Sequence, residues 1–201
     1  MILVIDTSSA RSAIALLSED GSVAGEETHE SGRTFDLPAR FHALAGGQQL
    51  TKVAVAVGPG SFTGLRVGVS FGLGLAIGLG VPVLTLRTLQ LQAARSDEPV
   101  VAVAEAGRGR VYSLAPDSEP LLSEPGDLPR HLPLVGWLHP VTKAGLLALG
   151  LRFRSDDELR TFGDAASSML KSAPEVAYGS LRLEYMHALG TAFARNRWTR
   201  N

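Results

Sequence analysis

Two short polar segments contain the residues of this sequence best suited to binding phosphate. The first, Asp6-Thr7-Ser8, follows the apolar residues 2–5, and the second, residues 58–64, reads Gly-Pro-Gly-Ser-Phe-Thr-Gly. A loop between a strand and a helix can direct backbone N–H groups at an anion. The second segment lacks the Gly-Lys-Ser/Thr of a Walker A loop, so a tight turn before a capped helix is the structural alternative. The candidate residues of this vestigial phosphate loop are Asp6, Thr7, Ser8, Gly58, Gly60, Ser61 and Thr63.

The cysteine, histidine and serine residues give little support for metal binding or nucleophilic catalysis. There is no cysteine, which excludes thiolate metal sites and cysteine nucleophiles. The five histidines are never three or four residues apart, so no helical metal pair exists. Residues 68–72 match the Gly-x-Ser-x-Gly elbow of hydrolases, but Ser70 falls inside a predicted helix and not at the required turn. We therefore predict no catalytic residue and no metal site.

Composition indicates a globular protein with a substantial core. The chain has 201 residues, of which 45% are hydrophobic, and a net charge of −1. This charge does not suit a general nucleic-acid binder. Arg195, Arg197 and Arg200 form a basic C-terminal cluster, which is either solvated or in contact with RNA or an acidic partner. Residues 1–6 carry no basic segment before the apolar run, so we expect a first strand, no signal peptide and a cytoplasmic location.

The first half of the chain predicts the element order βββαβα. Asp20-Gly21 marks a hairpin, and a helix containing Leu37, Phe41 and Leu44 begins near residue 35 or 36 and ends at Gly46. The predicted strands are residues 2–5, 12–17, 22–28, 53–57 and 81–84, and two further helices are expected from Ser61 or Thr63 to residue 79 and over 87–95. This α/β order is the RNase H-like topology, which also forms each lobe of actin-like proteins.

The second half begins as a weak repeat of the first. Residues 100–104 end in Glu105 and precede a strand at 111–114, much as residues 2–5 end in Asp6. Prolines then dominate, followed by a predicted strand at 134–137 and helices at 143–151, 156–170 and 183–195. We therefore predict a two-lobed actin-like fold, with a first lobe at residues 1–98 and a shortened second lobe at 99–201.

The predicted helix after residue 61 is unusually apolar. No charge occurs between Arg66 and Arg87, and Gly64, Gly68, Gly72, Ala76 and Gly80 recur every four residues. A membrane span has similar length, but Pro82 and the surrounding strands favour a soluble αβ unit. Such a helix should be buried on most sides. The glycine stripe suits close packing either on this chain's own sheet or against a helix of another chain.

A kinase of the actin-like class is the main enzymatic alternative. Such kinases keep a phosphate-and-metal loop after their first strand, where Asp6 stands here. They also need further acidic residues and a glycine-rich adenosine motif in the second lobe. The strand at 53–57 ends in Gly58 and not in a carboxylate, and the nearest match to the adenosine motif is Gly107-Arg108-Gly109. ATP hydrolysis by this chain alone is therefore not expected.

Three segments resemble one family closely. They are residues 2–9 (Ile-Leu-Val-Ile-Asp-Thr-Ser-Ser), residues 58–66 (Gly-Pro-Gly-Ser-Phe-Thr-Gly-Leu-Arg) and Val81-Pro82-Val83, and they are similar to the TsaB family of tRNA threonylcarbamoyladenosine biosynthesis proteins. A weaker likeness continues over residues 105–112, where the family tends to have Asp-Ala-Arg and this chain has Glu105 and Gly107. Residues 32–38 also lack the histidine that often precedes the first helix in the family.

The resemblance implies a non-catalytic subunit with an actin-like fold. Family members pair with a TsaD-type subunit, work with a TsaE-type ATPase, form homodimers alone, and meet tRNA only through the complex. It implies no intrinsic cofactor, with ATP only at an interface of the complex, and no membrane. A metallopeptidase label attached to the wider family would need a histidine pair or a glutamate-rich site. The interface of the first-lobe helices would contain Leu37, Phe41, Leu44, Gly64, Gly68, Gly72 and Ala76.

Overall fold

A computed structural model describes residues 1–31 and 36–184. Two mixed sheets with helices packed on them form the fold. The strands are β1 (Ile2–Asp6), β2 (Arg11–Leu17), β3 (Val23–Glu30), β4 (Lys52–Ala56), β5 (Val83–Leu86), β6 (Val101–Gly107), β7 (Arg110–Leu114), β8 (Leu121–Ser123), β9 (Leu134–Val135) and β10 (Glu175–Val176). The α-helices are α1 (Leu37–Ala45), α2 (Phe62–Leu79), α3 (Thr88–Ala93), α4 (Pro140–Ala148) and α5 (Phe162–Leu170).

The first sheet has the strand order β10-β5-β4-β1-β2-β3. β1, β2 and β3 form an antiparallel meander, whereas β1, β4 and β5 run parallel to one another. Every residue of β1 is buried, because helices cover this strand on both faces of the sheet. The order confirms the RNase H-like topology of the first lobe and places Asp6 at the carboxyl end of a central strand.

The second sheet repeats this order in shortened form. Its order is β8-β7-β6-β9, with β6 and β9 parallel and the other pairs antiparallel. Phe153 adds a single parallel bridge to Leu134, where the first sheet has β5. β6 thus corresponds to β1, and α4 corresponds to α2. The internal repeat predicted from residues 100–114 is a repeat of topology.

The described C-terminal segment lies against the first sheet. Phe162, Ala165 and Ala166 of α5 are buried in the same core cluster as Val4 and Ala13. β10 then pairs antiparallel with β5 and becomes the edge strand. The boundary at residue 98 stays a prediction, but α5 and β10, which the sequence assigned to the second lobe, pack on the first because their apolar residues face its sheet.

Several predicted elements end at different residues. β5 lies two residues later than predicted, because Val81 N bonds Ala76 O in the helix cap before the strand begins. The helix predicted at 156–170 is a short 3₁₀ turn followed by α5, since Thr161 caps a new helix by accepting from Asp164 N. α4 starts at Pro140, three residues before its predicted start. The helix predicted at 183–195 lies almost wholly outside the described residues, as does the basic cluster.

Candidate functional site

Asp6 lies in a buried network of hydroxyl groups at the end of β1. Ser8 donates to Asp6 Oδ1 from both its backbone N, at 2.8 Å, and its Oγ, at 2.5 Å. Ser8 Oγ lies 3.0 Å from Thr88 Oγ1 of α3. Since the Ser8 proton is committed to the carboxylate, the Thr88 hydroxyl is the donor in the second bond. Thr88 lies eighty positions after Ser8 in the chain, and the sequence did not indicate that it belongs to this site.

The second predicted loop closes directly over the first. Ser61 N donates to Ser8 O at 2.7 Å, and Thr7 Oγ1 donates to Gly64 O at 2.6 Å. A Cβ atom at Gly60 would lie 2.4 Å from Ser8 O, and one at Gly64 would lie 1.9 Å from Thr7 O. Only glycine permits this approach. The structure therefore brings the two predicted segments together, but their polar groups bond each other instead of forming an open cradle.

Burial dominates the electrostatics of Asp6. Removal from water raises the pKa of the Asp6 carboxyl, while the two hydrogen bonds from Ser8 oppose this effect. Oδ2 has no hydrogen-bond partner within the described part of the chain. Within residues 1–31 and 36–184, no group of three or more metal-binding side chains occurs.

Trp137 and Arg95 connect the second sheet to the core of the first. Trp137 follows β9 yet packs in the core of the first sheet, with its ring centroid 6.0 Å from that of Phe162. Its carbonyl accepts from Ala10 N at 3.2 Å. The Arg95 guanidinium lies 4.9 Å from the Trp137 ring centroid and 3.4 Å from Asp156. Burial lowers the pKa of Arg95, and Asp156 acts in the opposite direction. These contacts join the second sheet to the loop that follows β1.

The glycine stripe of α2 faces this chain's own sheet. A Cβ atom at Gly68 would lie 2.3 Å from Thr7 Oγ1, and one at Gly72 would lie 2.4 Å from Val55 Cγ1. Ala76 is fully buried on the same face. Of the two alternatives for the stripe, packing within the chain is the one that the structure adopts. Gly68, Gly72 and Ala76 are buried, while Gly64 is half-buried against the loop after β1. A role of these residues at an interface with another chain stays a prediction.

The interface residues predicted on α1 also make contacts within the chain. Leu37 is buried in the core, Phe41 meets Phe71 of α2 edge-on at 5.8 Å between centroids, and Leu44 packs over Gly25. Asp36 caps the helix by accepting from Ala39 N. α1 and α2 therefore lie side by side on one face of the first sheet.

The opposite face of α2 is exposed and almost uncharged. Val67 is 49% exposed, and Ile77 and Leu79 are each 54% exposed. Ser70 and Gly74 lie between them at helical spacing, and Arg66 stacks on the Phe62 ring at 3.6 Å. The prediction that α2 is buried on most sides is wrong for the chain alone, since the helix forms an outer layer. We call the exposed set Val67, Ser70, Gly74 and Ile77 the outer face of α2.

The length and apolar composition of α2 also match those of a membrane-spanning helix. Among the described residues, α2 is the one helix that meets both criteria. It is, however, the crossover between the parallel strands β4 and β5, and its glycine stripe lies directly on the sheet. Insertion into a bilayer would separate these layers. The outer face is more readily explained as a surface for another protein.

Two solved structures share the fold of this chain. YeaZ from Pseudomonas aeruginosa has a similar structure, with a TM-score of 0.72 and 22% identity over 92% of this chain and 99% of that one. A solved structure described as an uncharacterized protein with similarity to peptidase YEAZ from Pseudomonas aeruginosa gives a TM-score of 0.66 at 21% identity, with the same coverage. Two RNase H-like sheets in one chain form the actin-like fold.

Comparison of the sequence with known families and proteins gives two matches, each over part of the chain. Residues 43–119 match the family model for TsaD, tRNA N6-adenosine threonylcarbamoyltransferase. The tRNA threonylcarbamoyladenosine biosynthesis protein TsaB of Bacillus subtilis is 37% identical over 122 residues, which is 56% of this chain and 53% of that protein. The match thus spans about half the length of this curated relative. The chain is therefore similar to a TsaB protein in sequence over about half its length, and to YeaZ in fold over nearly all of it.

Proposed function

We propose that this chain is a non-catalytic partner subunit in the synthesis of threonylcarbamoyladenosine in tRNA, next to the anticodon. Its role is to bind a TsaD-type subunit, which performs the transfer. The TsaB name of the Bacillus subtilis relative supports the pathway. A TsaE-type ATPase completes the assembly, tRNA is met only through the complex, and the chain alone forms a homodimer.

The observation that carries this proposal is the outer face of α2. Val67 and Ile77 present apolar surface from a helix whose opposite side packs on the sheet. A helix with small residues between apolar ones permits another helix to pack closely. The α1–α2 side of the first sheet is therefore the surface through which we expect both the TsaD-type subunit and a second copy to bind, in competition.

Absence of catalysis by this chain is the second part of the proposal. The loop at Asp6 is closed by the hydrogen bonds from Ser61 and to Gly64, and Ala10, a few residues further on, donates from its N to the Trp137 carbonyl. A nucleotide would have to break these contacts to reach Asp6. We propose no intrinsic cofactor, and that any ATP needed for the pathway binds at an interface of the assembled complex.

Reconstitution tests the proposal directly. Gel filtration with light scattering of this chain, alone and mixed with the TsaD-type subunit of the same organism, should give a peak at the heterodimer mass. tRNA modification by the TsaD-type and TsaE-type subunits should then require this chain, while the chain alone should hydrolyse no ATP. Separate unmixed peaks at micromolar concentration, or modification without this chain, would refute the proposed role.

A further inference from the structure

Residues 174–184 form a strap that runs from one end of α2 to the other. The strap starts beside β5, where Thr85 N donates to Pro174 O at 3.1 Å and β10 pairs with Val83 and Leu84. Val176, Leu181 and Leu183 pack against the core cluster beneath α2. A segment that follows the second lobe thus lies alongside the helix whose outer face we assign to partner binding.

Tyr178 fastens the strap to the carboxyl end of α2. Its hydroxyl donates to Val81 O at 2.7 Å and lies 3.2 Å from Ala76 O. Ala76 is in the last turn of the helix, and its neighbour Ile77 belongs to the outer face. Tyr178 is itself 37% exposed.

Glu184 fastens the other end of the strap to the loop before α2. Glu184 N donates to Val57 O at 2.8 Å, and its carboxylate lies 2.9 Å from Arg87 Nε. The approach to Gly58 is so close that a Cβ atom there would lie 2.8 Å from Glu184 O and 3.3 Å from Leu65 Cδ1. Leu65 is in the first turn of α2, so this anchor lies next to the beginning of the helix.

We propose that the strap sets the position of α2 on the sheet, and that Tyr178 is a positioning residue for partner binding. This inference rests on the proposed function. A glycine stripe permits close approach but offers few side chains that interlock with the sheet, so it resists sliding and rolling of the helix weakly. Anchors at both ends supply the missing restraint. Binding of a partner to the outer face then depends on strap residues that lie about a hundred positions after α2 in the chain.

The test compares Tyr178→Phe with Tyr112→Phe, a hydroxyl deletion on β7 of the second sheet. Both variants keep the ring, so the comparison isolates the bond to α2. Titration of the TsaD-type subunit, at a temperature where all proteins are fully folded, should show affinity reduced roughly three- to tenfold for Tyr178→Phe and unchanged for Tyr112→Phe. Glu184→Gln, at the other anchor, should weaken binding in the same direction. Tyr178→Phe binding as tightly as the wild type would overturn the positioning role.

Hydrogen exchange of the free chain separates this inference from the proposed function. Loss of the Tyr178 anchor should accelerate exchange at the amides of Gly80 and Val81, which cap α2, whether or not a partner binds. A wild-type chain that fails to bind the TsaD-type subunit would refute the proposed function and the docking half of the inference. Unchanged exchange in Tyr178→Phe would refute the positioning half, independently of binding.

Discussion

Asp6, the last residue of β1, and Glu105, two residues before the end of β6, occupy corresponding positions in the two sheets, yet they bond different groups. Asp6 accepts from Ser8 within its own loop, whereas Glu105 reaches across to α4. Glu105 Oε1 accepts from His139 N at 2.8 Å, and Oε2 accepts from Thr142 Oγ1 at 3.2 Å. His139 is the N-cap of α4 and makes no capping bond with its own side chain. The glutamate therefore caps this helix from a neighbouring strand, a role that its longer side chain permits.

Replacement of Glu105 by alanine should destabilise the second lobe. The first turn of α4 would lose its acceptor, at a cost of about 0.5–2 kcal/mol in the free energy of unfolding. Urea denaturation followed by circular dichroism measures the change. Glu119→Ala, at an exposed glutamate in the same lobe, is the control. Equal stability of the two variants would contradict the capping role.

Asp6→Asn should change how stability depends on pH. Burial raises the pKa of Asp6 from its ordinary value of 3.8, so the folded state binds its proton more tightly than the unfolded state. The carboxyl group then stabilises the fold fully below 3.8, and this contribution is lost as pH rises through the raised folded-state pKa. The asparagine side chain does not titrate, so the variant should gain stability relative to wild type between acid and neutral pH.

Urea midpoints measured over that pH range test the sign of this effect. Asp127→Asn, which removes an exposed carboxylate, is the matched control. A difference between Asp6→Asn and wild type that stays constant with pH would show that burial does not perturb the carboxyl group. If the urea midpoint of Asp6→Asn falls relative to that of the wild type as pH rises, the fold stabilises the ionised form of Asp6.

Alanine at Gly64 and at Gly74 should have opposite effects on stability. At Gly64 the new Cβ atom would meet the backbone oxygen of Thr7, so we expect a loss of about 1–3 kcal/mol. At Gly74 no atom of another element among the described residues lies within 4 Å of the new Cβ, and replacing a helical glycine there should gain up to about 1 kcal/mol. Thermal unfolding of both variants checks the prediction. Equal effects would mean that α2 does not press on the β1 loop as described.

A charge on the outer face of α2 should weaken association without unfolding the chain. Val67→Glu places a carboxylate where a partner helix would pack, and we expect affinity for the TsaD-type subunit to fall at least about tenfold. Val141→Glu on α4, at a valine that is 85% exposed, is the control for added charge. By contrast, Gly72→Glu should unfold the chain, because its side chain would enter the sheet at Val55.

Light scattering of the mixed subunits and far-ultraviolet circular dichroism of each variant separate these outcomes. If Val67→Glu and Val141→Glu bind the partner equally well, the outer face of α2 is not the docking surface. Soluble, folded Gly72→Glu would show that the glycine stripe is open to solvent.

Local sequence patterns predicted the first lobe well because each element carries its own signal. The apolar runs, the Asp20-Gly21 turn and the cap at Ser61 each act within a few residues, and β1 to α2 lie close to their predicted positions. The sequence also indicated correctly that the membrane-like helix α2 belongs to an αβ unit. Its burial was overestimated, because periodicity shows that a helix is apolar but not how many layers surround it.

The arrangement of the candidate site depends on distant contacts that leave no local signal. The partnership of Ser8 with Thr88, of Glu105 with His139, and of Tyr178 with Val81 joins residues at least 34 positions apart. The glycines did carry a signal for close packing, since glycine is costly within a helix. The sequence could not show which surface approaches these glycines. In the structure, Thr7 and Val55 lie against them.

The position of β10 also sets the order in which the first sheet can be completed during synthesis. β5 is an interior strand of the finished protein, yet its outer neighbour comes from residues 175–176, after the entire second sheet. Until the ribosome has delivered that segment, β5 presents an unpaired edge to the cell. A fragment that stops at residue 98 would keep this edge permanently and would lack the α5 side chains that cover the sheet. The first sheet is therefore completed only by a segment that follows the second sheet in the chain, although the repeated topology suggests two separate halves.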